Sequence, residues 1–246
     1  MSTSDQLRGV VLAGGTGSRL FPLTKVTNKH LLPVGREPMI FHPVKKLVEA
    51  GVREILIVTG TEHMGAVVGL LGSGKDFGCE MTYRVQDEAG GIAQALGLAR
   101  GFGRDGGLVV VLGDNVFEAS LKPFAEAFRK QGRGAKILVK EVPDPGRYGV
   151  AVTEGARVVR IIEKPKDPPS SLAVTGVYFY DQNVFNVIAG LRPSARGELE
   201  ITDVNNAYIQ RNELTFDTLP GWWTDAGTFE SLKVANDLAS ATPATK

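Results

Sequence analysis

Hydrophobic residues gather in short runs along the chain: Val10–Ala13, Ile55–Val58, Met81–Val85, Leu108–Leu112 and Ile137–Val139, each bounded by glycine or charge. Runs of this length, rich in β-branched residues, predict buried strands. Between most of them apolar positions recur at helical spacing. Leu47 and Val48 close a stretch beginning near Pro38, Ile92, Leu96 and Ala99 mark a second, and Leu121, Phe124, Ala125 and Phe128 mark a third. Strand alternating with helix predicts an α/β fold: a Rossmann-like, doubly wound sheet with ligands at the carboxyl ends of its strands.

The pattern changes after Leu138. Gly149–Thr153, Arg157–Glu163 and Val174–Tyr180 read as strands, punctuated by Pro143, Pro145, Pro165, Pro168 and Pro169. They predict a small β-rich insertion over the sheet edge and make the sheet mixed. Helices over Asp181–Leu191 and Thr202–Gln210, a strand over Leu214–Leu219 and a helix from Gly227 to Leu238 complete the reading. No linker or low-complexity block interrupts the sequence, so residues 1–246 are expected to form a single domain.

Charge narrows the choice of partner. With 28 Lys+Arg against 27 Asp+Glu, nothing in the composition draws the chain to nucleic acid or to an anionic membrane. No segment approaches the ~18 consecutive apolar residues of a membrane span, and the first residues lack a signal-peptide profile. Cys79 is the single cysteine and three histidines are scattered, which excludes an internal disulfide and offers no zinc spacing. A cytoplasmic location is the expectation. The compositional excess is in glycine, with 30 residues, about 12% against an average near 7%.

Part of that excess falls in Leu12-Ala13-Gly14-Gly15-Thr16-Gly17-Ser18-Arg19-Leu20, directly after the first strand. Glycines let backbone N–H groups approach phosphate oxygens, and Arg19 adds a permanent charge. A dinucleotide fingerprint fails because Leu20 stands where the third glycine belongs and no acidic residue follows at the required distance. A Walker A loop is approached at Gly69 to Lys75 but fails at Asp76, where a hydroxyl is needed, so that segment reads as a helix-ending turn. The first loop is left as a nucleotide cradle ending in arginine, or as a plain tight turn.

The continuation distinguishes them. Leu12 to Val34 fits the pattern LAGGxGxRLxPLTxxxxKxLLPV, and further blocks follow in order: Val85-Gln86 with Gly90-Gly91-Ile-Ala-Gln94; Leu112-Gly113-Asp114-Asn115; Tyr148-Gly149; Glu163-Lys164-Pro165; Val174-Thr175-Gly176; Pro193 to Asp203; and Trp223-Thr-Asp225-Ala-Gly227. Over about residues 8 to 240 the chain resembles the sugar-1-phosphate nucleotidylyltransferases. The resemblance implies the nucleotide-diphospho-sugar transferase fold, with the β-rich insertion binding the sugar. It also implies a magnesium-dependent reaction in which glucose 1-phosphate attacks the α-phosphorus of dTTP, giving dTDP-glucose and pyrophosphate, the first step of dTDP-rhamnose-type polysaccharide biosynthesis. UTP or another hexose phosphate is the alternative substrate.

Roles follow residue by residue from the resemblance. Arg19 and Lys29 would hold the triphosphate and Lys164 the sugar phosphate, as the catalytic cations. Nucleotide contacts fall to Leu12, Gly14, Gly15, Thr16, Gly17, Ser18, Gln86, Gly91 and Asp114, and sugar contacts to Asn115, Tyr148, Gly149, Glu163, Lys164, Thr175 and Gly176. Asp114 and Asp225 would carry Mg2+, a hard ion suited to carboxylate and phosphate oxygens. On local sequence Asp225 competes as an N-cap for a helix beginning near Thr228, and Asp203 as a cap near Val204. Arg196 and Glu198 border the site. Asn28-Lys29-His30 stands where many members have Ser-Lys-Gln, which keeps the lysine and alters its surroundings. A homo-oligomer, usually a tetramer, is implied. Longer members add a C-terminal helical segment linked to a regulatory nucleotide site, so weak or absent feedback is expected of this short form.

Overall fold

The computed structural model describes residues 6–103 and 106–241. Strand β1 (Arg8–Ala13) is buried on both sides. A short ribbon of β2 (Pro33–Val34) and β3 (Glu37–Pro38) leads to helix α1 (Phe41–Glu49), β4 (Glu54–Gly60), α2 (Met64–Leu71), β5 (Glu80–Gln86), α3 (Ile92–Gly97) and β6 (Leu108–Leu112). β1, β4, β5 and β6 are parallel neighbours, in the order β6-β1-β4-β5. Side chains alternate across them. Val10, Leu12, Leu56 and Val58 pack on one face, and Val11, Ala13, Ile55 and Ile57 on the other. A strand covered on both faces needs apolar residues at every position, which is why these strands appear as continuous runs.

The second half adds β7 (Asn115–Phe117), α4 (Lys122–Gln131), β8 (Ala135–Glu141), a hairpin of β9 (Gly149–Glu154) and β10 (Arg157–Glu163), then β11 (Leu172–Tyr180), α5 (Val184–Ala189), α6 (Ile201–Gln210), β12 (Leu214–Thr218), β13 (Trp223–Asp225) and α7 (Phe229–Ala241). α3, α5 and α6 cover one face of the sheet, and α1, α2 and α4 the other. The sheet is mixed and doubly wound. Ala235 and Ala239 of α7 join a third cluster with Leu20, Leu32, Val34 and Met39 under the loops that follow β1. Among the described residues no helix is long and apolar enough to cross a membrane.

One strand is placed differently from the sequence reading. Leu172–Tyr180 does not lie over the edge with the hairpin; it runs antiparallel beside β6 inside the nine-stranded sheet. Its other side pairs with β8 in two stretches, 172–174 and 178–180, separated by a register shift. The β9–β10 hairpin continues the same sheet through Val150 opposite Ala173. Such pairings are non-local, and the apolar pattern of a strand does not name its neighbour.

Candidate active site

The carboxyl ends of β1, β5 and β6 open into a cleft of about 360 Å³, within the range of small-molecule sites. After Ala13 the chain turns through Gly15 at φ +94° and Gly17 at φ +62°, conformations that side chains resist. Leu12, Gly14, Gly15 and Arg19 line the cleft. Thr16, Gly17 and Ser18 do not; the Gly17 carbonyl accepts from Thr24 Oγ1 at 2.9 Å, tying the loop back on itself.

Lys29 reaches the cleft from a single 3-10 turn, residues Lys29–Leu31, that Asn28 caps by accepting from the His30 N–H at 2.9 Å. Its ammonium donates to Asp114 Oδ2 at 2.5 Å, and both side chains are largely buried. Burial, the largest single effect, pushes the Asp114 carboxyl up, but the Lys29 charge and the donors from Lys29 and Asn115 together outweigh it and hold the carboxyl well below the usual carboxylate range. His30 is buried beneath. Its Nδ1 lies 2.6 Å from Asn28 Oδ1. An amide oxygen can only accept, so Nδ1 carries a proton. Burial, then the Lys29 charge, pushes this imidazole down to about 3.

Asn115 organises the cleft floor. Its Nδ2 donates to Asp114 Oδ1 at 3.0 Å, while its Oδ1 accepts from Trp223 Nε1 at 2.7 Å and from the Gly176 N–H at 3.0 Å. The Gly176 donor is free for this because it falls in the register shift of β11, where the ladder with β8 is interrupted. A Cβ at Gly176 would stand 2.5 Å from Asn115 Nδ2, so the close approach requires glycine. Thr175 points away: it is fully buried and its hydroxyl donates to the Leu138 carbonyl at 2.9 Å, which removes its side chain from any sugar contact.

Asp225 enters from β13, which pairs antiparallel with β7 so that Asp225 stands opposite Asn115 and adjacent to Asp114 in sequence register. Its Oδ1 accepts from Tyr148 Oη at 3.0 Å and lies 3.3 Å from an Arg147 nitrogen. Burial and then the Asp225 charge raise the Tyr148 phenol well above its usual range, keeping it a donor. The competing role as a helix cap falls to other residues. Thr228 Oγ1 accepts from the Ser231 N–H at 3.2 Å and Ser231 Oγ from the Thr228 N–H at 3.0 Å, so Asp225 is left to the cleft. Asp203, likewise, lies exposed in the first turn of α6 and makes no cap hydrogen bond.

On the far side, pairing of Gly149 with Glu163 across the β9–β10 hairpin brings Tyr148, Gly149, Glu163 and Lys164 together. Lys164 holds φ +42°, an unfavourable backbone for a non-glycine residue, and its N–H donates to the Tyr148 carbonyl at 3.0 Å. Glu163 Oε2 accepts from Thr202 Oγ1 at 2.6 Å, and its Oε1 lies 3.4 Å from both Lys164 Nζ and Arg196 Nη2. At the opposite end Gln86 donates through Nε2 to Gln94 Oε1 at 2.7 Å and to the Gly91 carbonyl at 3.3 Å. Both amide donors are engaged, and Oε1 faces Gly14, 2.6 Å from where its Cβ would be. Gly91, at φ +98°, lies where a Cβ would meet the Leu199 carbonyl at 2.5 Å.

Arg147, His30 and Tyr178 also line the cleft and were not among the residues marked by sequence. An isolated arginine after a proline reads as a solvated loop charge, and His30 and Tyr178 read as core. Among the described residues no three His, Cys, Asp or Glu side chains converge as a ready metal cage. Asp114 and Asp225, two carboxylates lining the same cleft, nevertheless suit a hard ion such as Mg2+, which takes one or two carboxylates and completes its shell with water and phosphate oxygens.

A family model described as nucleotidyl transferase matches residues 8–241. The glucose-1-phosphate thymidylyltransferase of Neisseria meningitidis serogroup A / serotype 4A is 42% identical over 235 residues, covering 93% of this chain and 81% of that protein. A Bacillus anthracis protein, named as a candidate glucose-1-phosphate thymidylyltransferase and crystallised in complex with a sucrose, is 57% identical with a TM-score of 0.94 over 98% of each chain. A UDP-glucose pyrophosphorylase complexed with UDP-glucose shares the fold at 24% identity, with a TM-score of 0.86 over 95% of this chain and 98% of that one.

Proposed function

Because the chain belongs to the nucleotidyl transferase family, we propose that it transfers the thymidylyl group of dTTP to glucose 1-phosphate, releasing pyrophosphate and forming dTDP-glucose. The observation that carries this reading is the convergence in one cleft of the Gly14–Gly15 turn with Arg19, the Lys29–Asp114 pair, Asp225, and the Glu163–Lys164 end of a hairpin. Two polyanions must be brought together, so positioning and charge neutralisation are the main catalytic tasks.

The glycine turn would offer backbone N–H groups to the triphosphate, with Arg19 neutralising the departing pyrophosphate. Lys29 would leave Asp114 for the α-phosphate as charge develops there. Lys164 would hold the phosphate of the sugar, and its strained backbone fixes the direction of approach. The attacking phosphate oxygen is already ionised, so no side chain has to remove a proton. Asp114 and Asp225 would hold Mg2+, which supplies Lewis-acid neutralisation of phosphoryl charge. Gln86, with both donors occupied, presents an acceptor, and thymine and uracil each offer it an N3–H. The Tyr148–Gly149 turn, Glu163 and Asn115 would enclose the hexose, with Glu163 accepting from its hydroxyls. Assembly as a homotetramer in the cytoplasm, feeding dTDP-rhamnose-type biosynthesis, belongs to the same proposal.

Pyrophosphate release measured over a grid of nucleoside triphosphates and sugar phosphates tests it. Turnover is expected to be highest for dTTP with glucose 1-phosphate and to require a divalent cation. Preference for UTP would overturn the base assignment, for which one methyl group supplies only ~1–3 kcal/mol of discrimination.

A further inference from the structure

Among the described residues five cationic and five anionic side chains line the cleft. They neutralise one another almost pair by pair. Lys29 holds Asp114, Arg147 holds Asp225, Lys164 holds Glu163, and Arg196 holds Glu200 at 2.8 Å while reaching Glu163 and Glu198, so that among the described residues Arg19 is the cleft cation with no carboxylate within 4.0 Å. As paired, the cleft offers two polyanions one unpaired cation, and its other cations become available as their ion pairs open. The two carboxylates paired with Lys29 and Arg147 both line the cleft: Asp225 stands opposite Asn115 in the β7–β13 ladder, and Asp114 is the residue before that partner.

Arg147 is built for exchange. Its side chain is 36% exposed against 13% for Asp225, it reaches both carboxylate oxygens at 3.3 and 3.5 Å, and its guanidinium lies over the Tyr148 ring at 5.4 Å. The ring gives the guanidinium a flat surface to pivot on, a contact that survives when the ion pair breaks. Tyr148 Oη remains on Asp225 Oδ1 and keeps that carboxylate aimed while the cation leaves. Arg147 immediately precedes the Tyr148–Gly149 turn and so stands beside the Glu163–Lys164 end of the cleft.

We propose that Arg147 holds Asp225 while the divalent cation is absent and, once released from it, binds the phosphate of the incoming sugar phosphate. Asp114 and Asp225, engaged by a dication, would release Lys29 and Arg147 to the phosphates. Cation binding and phosphate binding thereby reinforce each other. This rests on the metal reading above.

The test uses Mn2+ as a spectroscopic probe that shares oxygen ligands with Mg2+. Free Mn2+ is followed by electron paramagnetic resonance during titration of the substrate-free protein. Arg147→Gln removes the competing charge and is expected to bind Mn2+ about two- to fivefold more tightly than the wild type, the strength of a partly exposed ion pair. Arg147→Lys keeps the charge and restores the wild-type affinity. In steady state, Arg147→Gln raises KM for glucose 1-phosphate several-fold and leaves KM for dTTP nearly unchanged. Equal Mn2+ affinity in wild type and Arg147→Gln, or an unchanged KM for the sugar phosphate, would overturn the exchange. Wild-type turnover in the presence of a chelator would instead overturn the metal reading beneath it.

Discussion

The His30 imidazole, buried beneath Lys29, sets a pH dependence of its own. In the unfolded chain a histidine takes up a proton near pH 6.5, whereas folded His30 resists until about 3. Its contribution to stability is therefore complete above pH 6.5 and is lost as pH falls from there towards 3, at about 1.4 kcal/mol per unit. Asp114 follows the opposite chemistry with the same sign, since its lowered value keeps stability intact above the ordinary carboxylate range and withdraws it only at more acid pH. Replacing His30 with Gln, an amide that does not titrate, should make the loss of stability between pH 7.5 and pH 5 smaller by about 2 kcal/mol in urea unfolding. An identical loss in the variant would remove His30 from the acid limb. At this scale the sequence was eloquent where chemistry sits inside a motif and mute elsewhere. Lys29, Asp114 and Lys164 stood out by their blocks, but a hydrogen-bonding hub such as Asn115 is defined by partners 61 and 108 residues away, and no local pattern encodes those.

Among the elements, legibility follows length and burial. β1, β4 and β6 appear as apolar runs because both faces are covered. β2, β3, β7 and β13 are two or three residues long, too short for any period, yet the β7–β13 pair is what carries Asp225 to Asp114. α2, MGAVVGLL, is apolar around its whole circumference and shows no stripe to mark it. β11 was legible as a strand but not as the neighbour of β6, since register is settled by packing across the fold. Its irregular middle carries the most exacting requirement in the site. Gly176→Ala places a methyl 2.5 Å from the Asn115 amide, and because Asn115 also orients Asp114 and Trp223, the strain reaches the reacting centre. Overpacking of this kind costs about 1–3 kcal/mol. The variant is expected to unfold at lower temperature and to lose at least about tenfold in kcat, for which each 1.4 kcal/mol suffices; wild-type kcat in Gly176→Ala would show that Asn115 does not need its present position.

Across the whole molecule, the alternation of strands and helices was enough to anticipate a doubly wound sheet and a cleft at its strand ends. How the two halves of that cleft are joined was not. β11 pairs with β6 through Val177–Tyr180 and meets β9 at Ala173, while β8 flanks both stretches. One strand is thus common to the nucleotide side and the sugar side, and the cleft spans a continuous hydrogen-bonded beam. A clamshell opening, in which one lobe swings from the other, would have to tear that beam. Entry and release are then expected to fall to loops that border the cleft, 143–148 and 193–199 among them, moving over a stiff floor. Amide hydrogen exchange should read this directly: β11 protected to the level of global unfolding, and both segments exchanging through small local openings that substrates suppress. Early exchange in Val177–Tyr180 would mean that the floor itself bends.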